Sequence, residues 1–181
     1  MNGLGGVARA FEEGHVPYDV LILGMSEIRK DPFPSADLTQ YKVIVLPSVS
    51  ALSEAQVSRL EEFGRRGGTL VVLGDLGTRN ERGRLVATGA REALRSSSFV
   101  RRPLGTASFR SSRKKEAPDF REQWRSVSDA VRKAVGTPLV EGNLPRWTWV
   151  KTWLHEEGLF SAHFVNYDFD FKAGAFRPTV P

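Results

Sequence analysis

Three histidines and the carboxylates beside them are the side chains most able to do acid–base chemistry in this 181-residue chain. His155 and His163 flank a turn that carries Glu156 and Glu157, and His15 stands far from them in sequence. An imidazole beside a carboxylate can move protons near neutral pH. No HExxH-type spacing is present, so the sequence predicts no metal site. The catalytic candidates here are His155, Glu156 and His163, although strand histidines and turn carboxylates more often have structural or solvated roles.

A second candidate site is the glycine-rich turn GDLGTRN, which follows an apolar strand pattern. Such turns lie at the carboxyl end of a strand, where open α/β sheets bind ligands. The residues of this turn that we predict to bind a ligand are Gly74, Asp75, Gly77 and Asn80. The turn lacks the lysine of a phosphate-binding P-loop, and Asp75 would repel a phosphate. A sharp turn that needs glycine is the favoured interpretation, with Asp75 kept as a catalytic candidate.

Aromatic side chains are concentrated near the end of the chain. Trp147, Trp149 and Trp153 recur at a spacing that places them on one strand face, with Phe164 and Tyr167 nearby. Exposed aromatic rings can stack on sugars or bases. Packing in a core or at an interface between chains is the favoured interpretation, and these five residues are the predicted interface.

The stretch from Tyr41 to Gly74 contains the predicted strands and helix that position these candidate residues. Residues 43–46 form a short apolar run, as expected for a strand covered on both faces. Ser53 and Gln56 have the spacing of a capping box at the start of an amphipathic helix. Gly67-Gly68 ends that helix, and residues 69–73 form the next strand. The pattern predicts one crossover unit of a parallel α/β sheet, and these residues are expected to be buried in central strands: Val43, Ile44, Val45, Leu70, Val71 and Val72.

Further elements are expected on both sides of this unit. A helix is predicted over residues 4–13, a buried strand over Asp19 to Leu23, and a second helix over residues 119–135. Two β-rich runs joined by Glu156-Glu157-Gly158 predict an antiparallel hairpin within residues 147–171. The fold class is therefore α/β, with one domain over residues 1–181 that ends in a hairpin.

The segment between Arg91 and Lys133 is basic, with twelve Lys or Arg against five Asp or Glu. A basic segment can bind nucleic acid. No recognisable binding motif accompanies the arginines, so a solvated helix face and a mobile basic loop over residues 96–118 are the favoured interpretation.

Composition excludes several classes of function. The chain has no cysteine, which rules out disulfides, thiolate metal sites and a cysteine nucleophile. Its first residues lack the basic-then-apolar pattern of a signal peptide, and no apolar run is long enough to span a bilayer. Neither a cofactor nor a compartment is indicated by any motif.

Two stretches together resemble a known family. They are VARAFEEGHVPYDVLILG and the run from DLTQYKVIVLPSVSALSEAQ to GGTLVVLGDLGTRNERG. Their order and spacing resemble the class I glutamine amidotransferase-like domain of large glycoside hydrolases, as in the trimerisation domain of beta-galactosidases. LFSAHFVNYDFDF resembles the strand that leads into a β-sandwich in related carbohydrate-active proteins.

The resemblance implies a flavodoxin-like sheet flanked by helices and a non-catalytic accessory or oligomerisation role in a carbohydrate-active protein. True amidotransferases use a cysteine at the strand-to-helix turn, so glutaminase activity is not expected here. Homo-oligomers or other domains of a longer polypeptide are the expected partners, and carbohydrate is a further candidate ligand. Two alternatives stay open: a small hydrolase that uses Asp75 or Glu156/Glu157 with a histidine, and a nucleic-acid-binding protein that uses residues 91–133.

Overall fold

The structure, a computed structural model, describes residues 2–24, 28, 30–87, 94, 99–102, 118–136, 142, 144–145, 148–156 and 158–177. Its elements in chain order are α1 (Asn2–Glu13), a 3₁₀ turn (Phe33–Ser35), β1 (Val43–Pro47), α2 (Glu54–Arg65), β2 (Thr69–Leu73), β3 (Phe99–Arg102), α3 (Pro118–Val135), β4 (Thr148–Leu154), β5 (Phe160–Asn166), β6 (Phe169–Asp170) and β7 (Ala175–Phe176).

A parallel sheet with the order β1-β2-β3 forms the centre of the molecule. Val43 pairs with Thr69 at one end of the β1–β2 ladder, and Pro47 pairs with Leu73 at the other. The β2–β3 ladder continues the sheet from the pair of Leu70 with Phe99. The predicted crossover unit, strand then α2 then parallel strand, is therefore confirmed.

Successive residues of β2 point to opposite faces of this sheet, and both faces are covered. Leu70 and Val72 pack with α2 in one apolar cluster, which also contains Leu60 of that helix. Val71 and Leu73 pack on the other face with residues of α1 and α3. The continuous apolar sequence of β2 follows from this burial on both sides.

The prediction that β1 is a central strand is wrong for the part of the chain that the structure describes. There β1 pairs with β2 alone, so it is an edge strand. Ile44 and Leu46 are buried toward α2, whereas Val43 and Val45 are only partly buried. An apolar β-branched run specifies a strand, but its position in a sheet depends on which other segments pair with it.

The capping box that begins α2 is formed as the sequence predicts. The Ser53 Oγ accepts a hydrogen bond from the Gln56 backbone N–H at 3.3 Å. The Gln56 Oε1 accepts one in return from the Ser53 backbone N–H at 2.9 Å. Two backbone donors that the helix cannot satisfy itself are thereby paired.

Replacing Ser53 with Ala is expected to lower the free energy of unfolding by about 1 kcal/mol, because the Gln56 N–H loses its acceptor. Ser58→Ala is the matched control. Ser58 is exposed inside the same helix, where alanine is a better helix former than serine. Denaturant unfolding of both variants measures the difference. Equal stabilities for the two would show that the cap contributes nothing.

The C-terminal antiparallel hairpin is also confirmed. β4 and β5 pair from Thr148 with Asn166 to Leu154 with Phe160. A second, shorter hairpin follows, in which β6 pairs with β7. The sequence analysis predicted one hairpin in this region and did not predict the second.

The strand predicted over Asp19 to Leu23 does not form. Val20 and Ile22 are each 55% exposed, and only Leu23 packs against the core cluster beside α2. A strand needs hydrogen bonds from a neighbouring strand, and none pairs with these residues in the described part of the chain. The apolar sequence is therefore compatible with a strand but does not produce one here.

The segment predicted as a basic loop contains part of the sheet. Residues 99–102 of the interval 96–118 form β3, which pairs in parallel with β2. The strand has only four residues, too few for a period to be recognised, and the open edge of β2 selects it. Residues 103–117 lie outside the described residues. The mobility predicted for the interval 96–118 therefore stays a prediction.

The fold class is thus mixed α/β, with one small parallel sheet and antiparallel hairpins. In α3, Val127 and Val131 are buried as the helical period predicts, and the side chains of Phe120 and Trp124 lie outside the description. Within the described ranges, no helix has the length and apolar character of a membrane span.

Candidate functional site

The GDLGTRN loop is bound to the rest of the chain mainly through its own backbone. The Gly77 N–H donates to the Val49 carbonyl at 2.8 Å, and the Arg79 N–H donates to the Ser50 carbonyl at 2.9 Å. Leu76 is buried in the core cluster beside α2. Gly74 and Gly77 adopt positive φ angles of 81° and 57°. These positive φ angles explain why glycine occupies the two positions of the turn. The Gly77 N–H is already hydrogen-bonded within the fold.

The two polar candidates in this loop lie in different environments. Asn80 accepts hydrogen bonds at its Oδ1 from the backbone N–H groups of Arg82 and Arg84, at 3.1 and 2.9 Å. It is therefore occupied as a turn residue. Asp75 is exposed at the turn. Ligand binding by Gly74, Asp75, Gly77 and Asn80 stays a prediction.

The histidines of the hairpin are in structural contacts. The Nε2 of His155 lies 3.0 Å from the Ser161 Oγ across the hairpin. The ring of His163 packs edge-on against Trp153, with centroids 4.5 Å apart. Glu156 is exposed in the turn, and Glu157 lies outside the described residues. No hydrogen bond or ion pair in the described part joins Asp75 or Glu156 to a histidine, so these candidates are not brought together as an acid–base pair.

No group of three or more metal-ligating side chains converges among the described residues.

The aromatic residues of the hairpin are divided between its two faces. Trp149 and Trp153 lie on one face, with Lys151 between them. Phe164 pairs with Val150 and lies on the opposite face, the one through which Val150 is buried. The predicted interface is therefore not one continuous face. Trp147 is outside the described residues.

The aromatic rings on the two faces differ in how much they contact other side chains of the chain. Trp153 contacts His163 and lies under the Lys151 ammonium, which is 5.4 Å from the ring centroid. Phe164 is 53% exposed, and Phe160 on the same face is 46% exposed. Exposed apolar side chains that share one face are candidates for an interaction surface. We name Phe160 and Phe164 the β5 aromatic pair.

A cleft of about 770 Å³ lies where β1 leads into α2. Its lining residues are Gly24, Lys30, Asp31, Pro34, Ser53, Glu54, Ala55, Glu81 and Arg82. Beside it, the Gln56 amide donates to the Asp31 carboxylate at 2.6 Å and to the Gly24 carbonyl at 2.8 Å. The same carboxylate accepts from the backbone N–H of Gly24 and Phe33. These hydrogen bonds join the first turn of α2 to the loop before β1.

Sequence reasoning missed the role of Asp31 in this network. Gln56 was indicated by the capping box, but nothing near Asp31 in sequence shows that the two side chains meet across 25 residues. His15 was likewise left without a role. Its ring reaches two carbonyls more than 100 residues away, a contact that no local pattern encodes.

Two tyrosines connect the segment after α1 to its surroundings. Burial raises the pKa of Tyr41, and the Asp19 carboxylate, which accepts its hydrogen bond at 3.2 Å, raises it further. Burial likewise raises the pKa of Tyr18, with a second contribution from Glu12, the acceptor of its hydroxyl. Both hydroxyls stay protonated at neutral pH and act as donors, which suits a structural role.

Residues 28–116 match the family model of the beta-galactosidase trimerisation domain. The matched part is just under half of the chain and contains β1, α2, β2 and β3. The C-terminal hairpin lies outside it, as do α1 and α3. No curated protein matches the chain. The match supports an accessory domain of a glycoside hydrolase, which is the role that the sequence resemblance implies.

The fold is also similar to the crystal structure of an apo exo-carrageenase GH42 from Bacteroides ovatus. The TM-score is 0.47 and the sequence identity 12%, over 88% of this chain and 20% of that one. The chain thus spans about a fifth of the length of that protein.

Proposed function

We propose that this chain is a non-catalytic accessory domain through which a glycoside-hydrolase-type, carbohydrate-active protein self-associates. The observation that carries the proposal is the match of residues 28–116 to the beta-galactosidase trimerisation domain. The catalytic candidates of the sequence do not converge in the described residues, which fits a role in assembly. About half of residues 91–133 lie outside the described residues, and nucleic-acid binding by this segment stays a prediction of the sequence.

The fold that accompanies this role is a flavodoxin-like, amidotransferase-type domain over residues 1–181. Support comes from the arrangement of layers: a parallel sheet carries α2 on one face and α1 with α3 on the other. Helices on both faces of a parallel sheet are the defining feature of doubly wound α/β folds. Other domains of a longer polypeptide are the second class of expected partner, and carbohydrate remains a candidate ligand.

The contact between copies is proposed to include the C-terminal hairpin. The β5 aromatic pair is exposed on one face of it, and Tyr167 is exposed just beyond the strand. Trp153 is engaged by its own chain, so Phe164 is expected to contribute more to the contact. Buried aromatic anchors carry much of the binding energy at protein interfaces.

Phe164→Glu is expected to raise the dissociation constant of the homo-oligomer by at least about tenfold, because a charge would be buried without a partner. Trp153→Glu, on the other hairpin face, is expected to have a smaller effect. Sedimentation velocity over a concentration series measures both, with circular dichroism to show that the variants fold.

Leu85→Glu is the control that distinguishes the assembly role of the chain from the position of the contact surface. Leu85 is 76% exposed and lies inside the matched residues, away from the hairpin in sequence. Dissociation by Leu85→Glu but not by Phe164→Glu would move the contact to the matched part and leave the assembly role standing. A wild-type chain that stays monomeric at several hundred micromolar would contradict the assembly role itself.

A further inference from the structure

Strand β5 has an open edge that carries none of the usual protection. Within the described residues it pairs with β4 alone. Edge strands are commonly protected by charged side chains, a proline or a bulge. The β5 sequence FSAHFVN contains no Lys, Arg, Asp, Glu or Pro, and its ladder with β4 runs without a bulge. Phe160 and Phe164 are exposed on one face and Val165 on the other, so both sides of this edge are accessible.

The hydrogen bonds of the hairpin show which backbone groups of β5 point to the open edge. The His155 N–H donates to the Leu159 carbonyl at 2.8 Å, so this pair is hydrogen-bonded. Hydrogen-bonded and non-hydrogen-bonded pairs alternate along an antiparallel ladder. At the far end of the ladder the Thr148 N–H donates outside the hairpin, in agreement with this alternation. The outward-pointing N–H and C=O groups of β5 therefore belong to Phe160, Ala162, Phe164 and Asn166.

These outward-pointing groups are complementary to those of a second, antiparallel copy of the same strand. With His163 opposite His163 of the partner subunit, Ala162 lies opposite Phe164 of the partner subunit. Both residues of that pair carry outward-pointing groups, so each such pair forms two hydrogen bonds. Phe164 and Phe164 of the partner subunit become diagonal neighbours on one face, a separation that aromatic rings bridge. Because β5 has no Lys, Arg, Asp or Glu, no such charges face each other in this register.

We propose that β5 pairs edge to edge with β5 of a second copy of this chain, which joins two hairpins into one four-stranded antiparallel sheet. The β5 aromatic pairs of the two copies then lie on the same face and cover part of each other. A two-fold contact of this kind closes as a dimer. β5 lies outside the matched residues 28–116, so the pairing is separate from any contact that the matched part makes. The inference rests on the proposed assembly role and specifies the partner and the register.

Disulfide cross-linking tests the register, since the chain has no cysteine of its own. Residue 163 lies opposite its own copy in a non-hydrogen-bonded pair, where the two Cα atoms are about 4.5 Å apart, a distance that a disulfide spans. His163→Cys is therefore expected to form a covalent dimer under mild oxidation.

The matched controls are Val165→Cys and Ser161→Cys, which lie on the same hairpin face as His163. Each is displaced from its own copy by four residues, about 13 Å along the strand, and should not cross-link alone. A mixture of the two variants should cross-link, because residue 161 of one copy lies opposite residue 165 of the other.

Ala162→Pro tests the backbone bonds of the pairing. The Ala162 N–H points to the open edge, so proline removes a donor to the second copy and none within the hairpin. The contact loses two symmetry-related hydrogen bonds, and the dissociation constant is expected to rise about tenfold in sedimentation velocity. Ala162→Ser keeps the N–H and should associate as the wild type does.

The outcomes separate this inference from the assembly role on which it rests. A chain that self-associates but whose His163→Cys variant does not cross-link, or cross-links no better than Val165→Cys, would overturn the β5 pairing and leave the assembly role standing. Equal dissociation constants for Ala162→Pro and Ala162→Ser would overturn the pairing as well. A wild-type chain that stays monomeric at several hundred micromolar would overturn both.

Discussion

Replacing Leu70 with Ala is expected to lower the free energy of unfolding by about 2–5 kcal/mol, the largest single effect that the structure predicts. Leu70 is fully buried in β2, the middle strand, and packs with α2. The same buried cluster contains Ile44 and Leu46 of β1 and Leu60 of the helix. Removing it deletes apolar contacts and leaves a cavity that close-packed neighbours fill only in part.

The matched control is Leu85→Ala, which makes the same chemical change at an exposed position. Leu85 contributes a backbone bridge to Arg79, and that bridge does not depend on its side chain. Its replacement is expected to change stability by less than about 0.5 kcal/mol. Urea unfolding followed by circular dichroism gives both values. Similar losses for Leu70→Ala and Leu85→Ala would contradict the placement of β2 at the centre of the core.

Gly68→Ala is expected to be the second most damaging change, at about 3 kcal/mol, the upper part of the usual range for overpacking. A Cβ on Gly68 would lie 2.3 Å from Cε1 and 2.4 Å from Cζ of Phe63. The Phe63 ring is buried in the core cluster beside α2, so it cannot swing away into solvent. Either the ring or the turn between α2 and β2 must move.

A double-mutant cycle identifies the cause of this loss. Phe63→Leu removes the ring atoms that the new methyl group would meet, so Gly68→Ala should cost less in the Phe63→Leu background than in the wild type. Gly67→Ala is the neighbouring control: its Cβ meets nothing within 4 Å, but its φ of 91° disfavours any side chain. That loss should be independent of residue 63. Additive effects of Gly68→Ala and Phe63→Leu would show that the clash is not the reason.

The sequence alone determined those elements of this protein whose stabilising contacts are close in sequence. The capping box of Ser53 and Gln56 formed because its hydrogen bonds join residues three apart, so a few neighbouring side chains decide it. Helix α3 buries Val127 and Val131 because a helical period places them on one side whatever that side contacts. The hairpin of β4 and β5 follows from two adjacent β-rich runs joined by a short turn. In each case the deciding interactions are close in sequence.

Only the tertiary structure decided which of these elements pair and what their side chains meet. Residues 19–23 have the composition of a strand, but no strand pairs with them in the described part of the chain, whereas the four residues of β3 pair with the open edge of β2. The residues predicted to form functional sites lie in separate environments for the same reason. Asn80 and Gly77 satisfy nearby backbone groups, and the two faces of the hairpin separate Trp153 from Phe164.

The contact of His15 with Thr148 and Leu144 is the clearest example of an interaction that the sequence alone does not indicate. Its partners are backbone carbonyls, which every residue possesses, so no side-chain pattern can indicate them. They come within reach of the ring only once the hairpin lies against α1. The sequence supplied an imidazole at the end of a helix, and the packing of distant segments decided that this ring faces two acceptors.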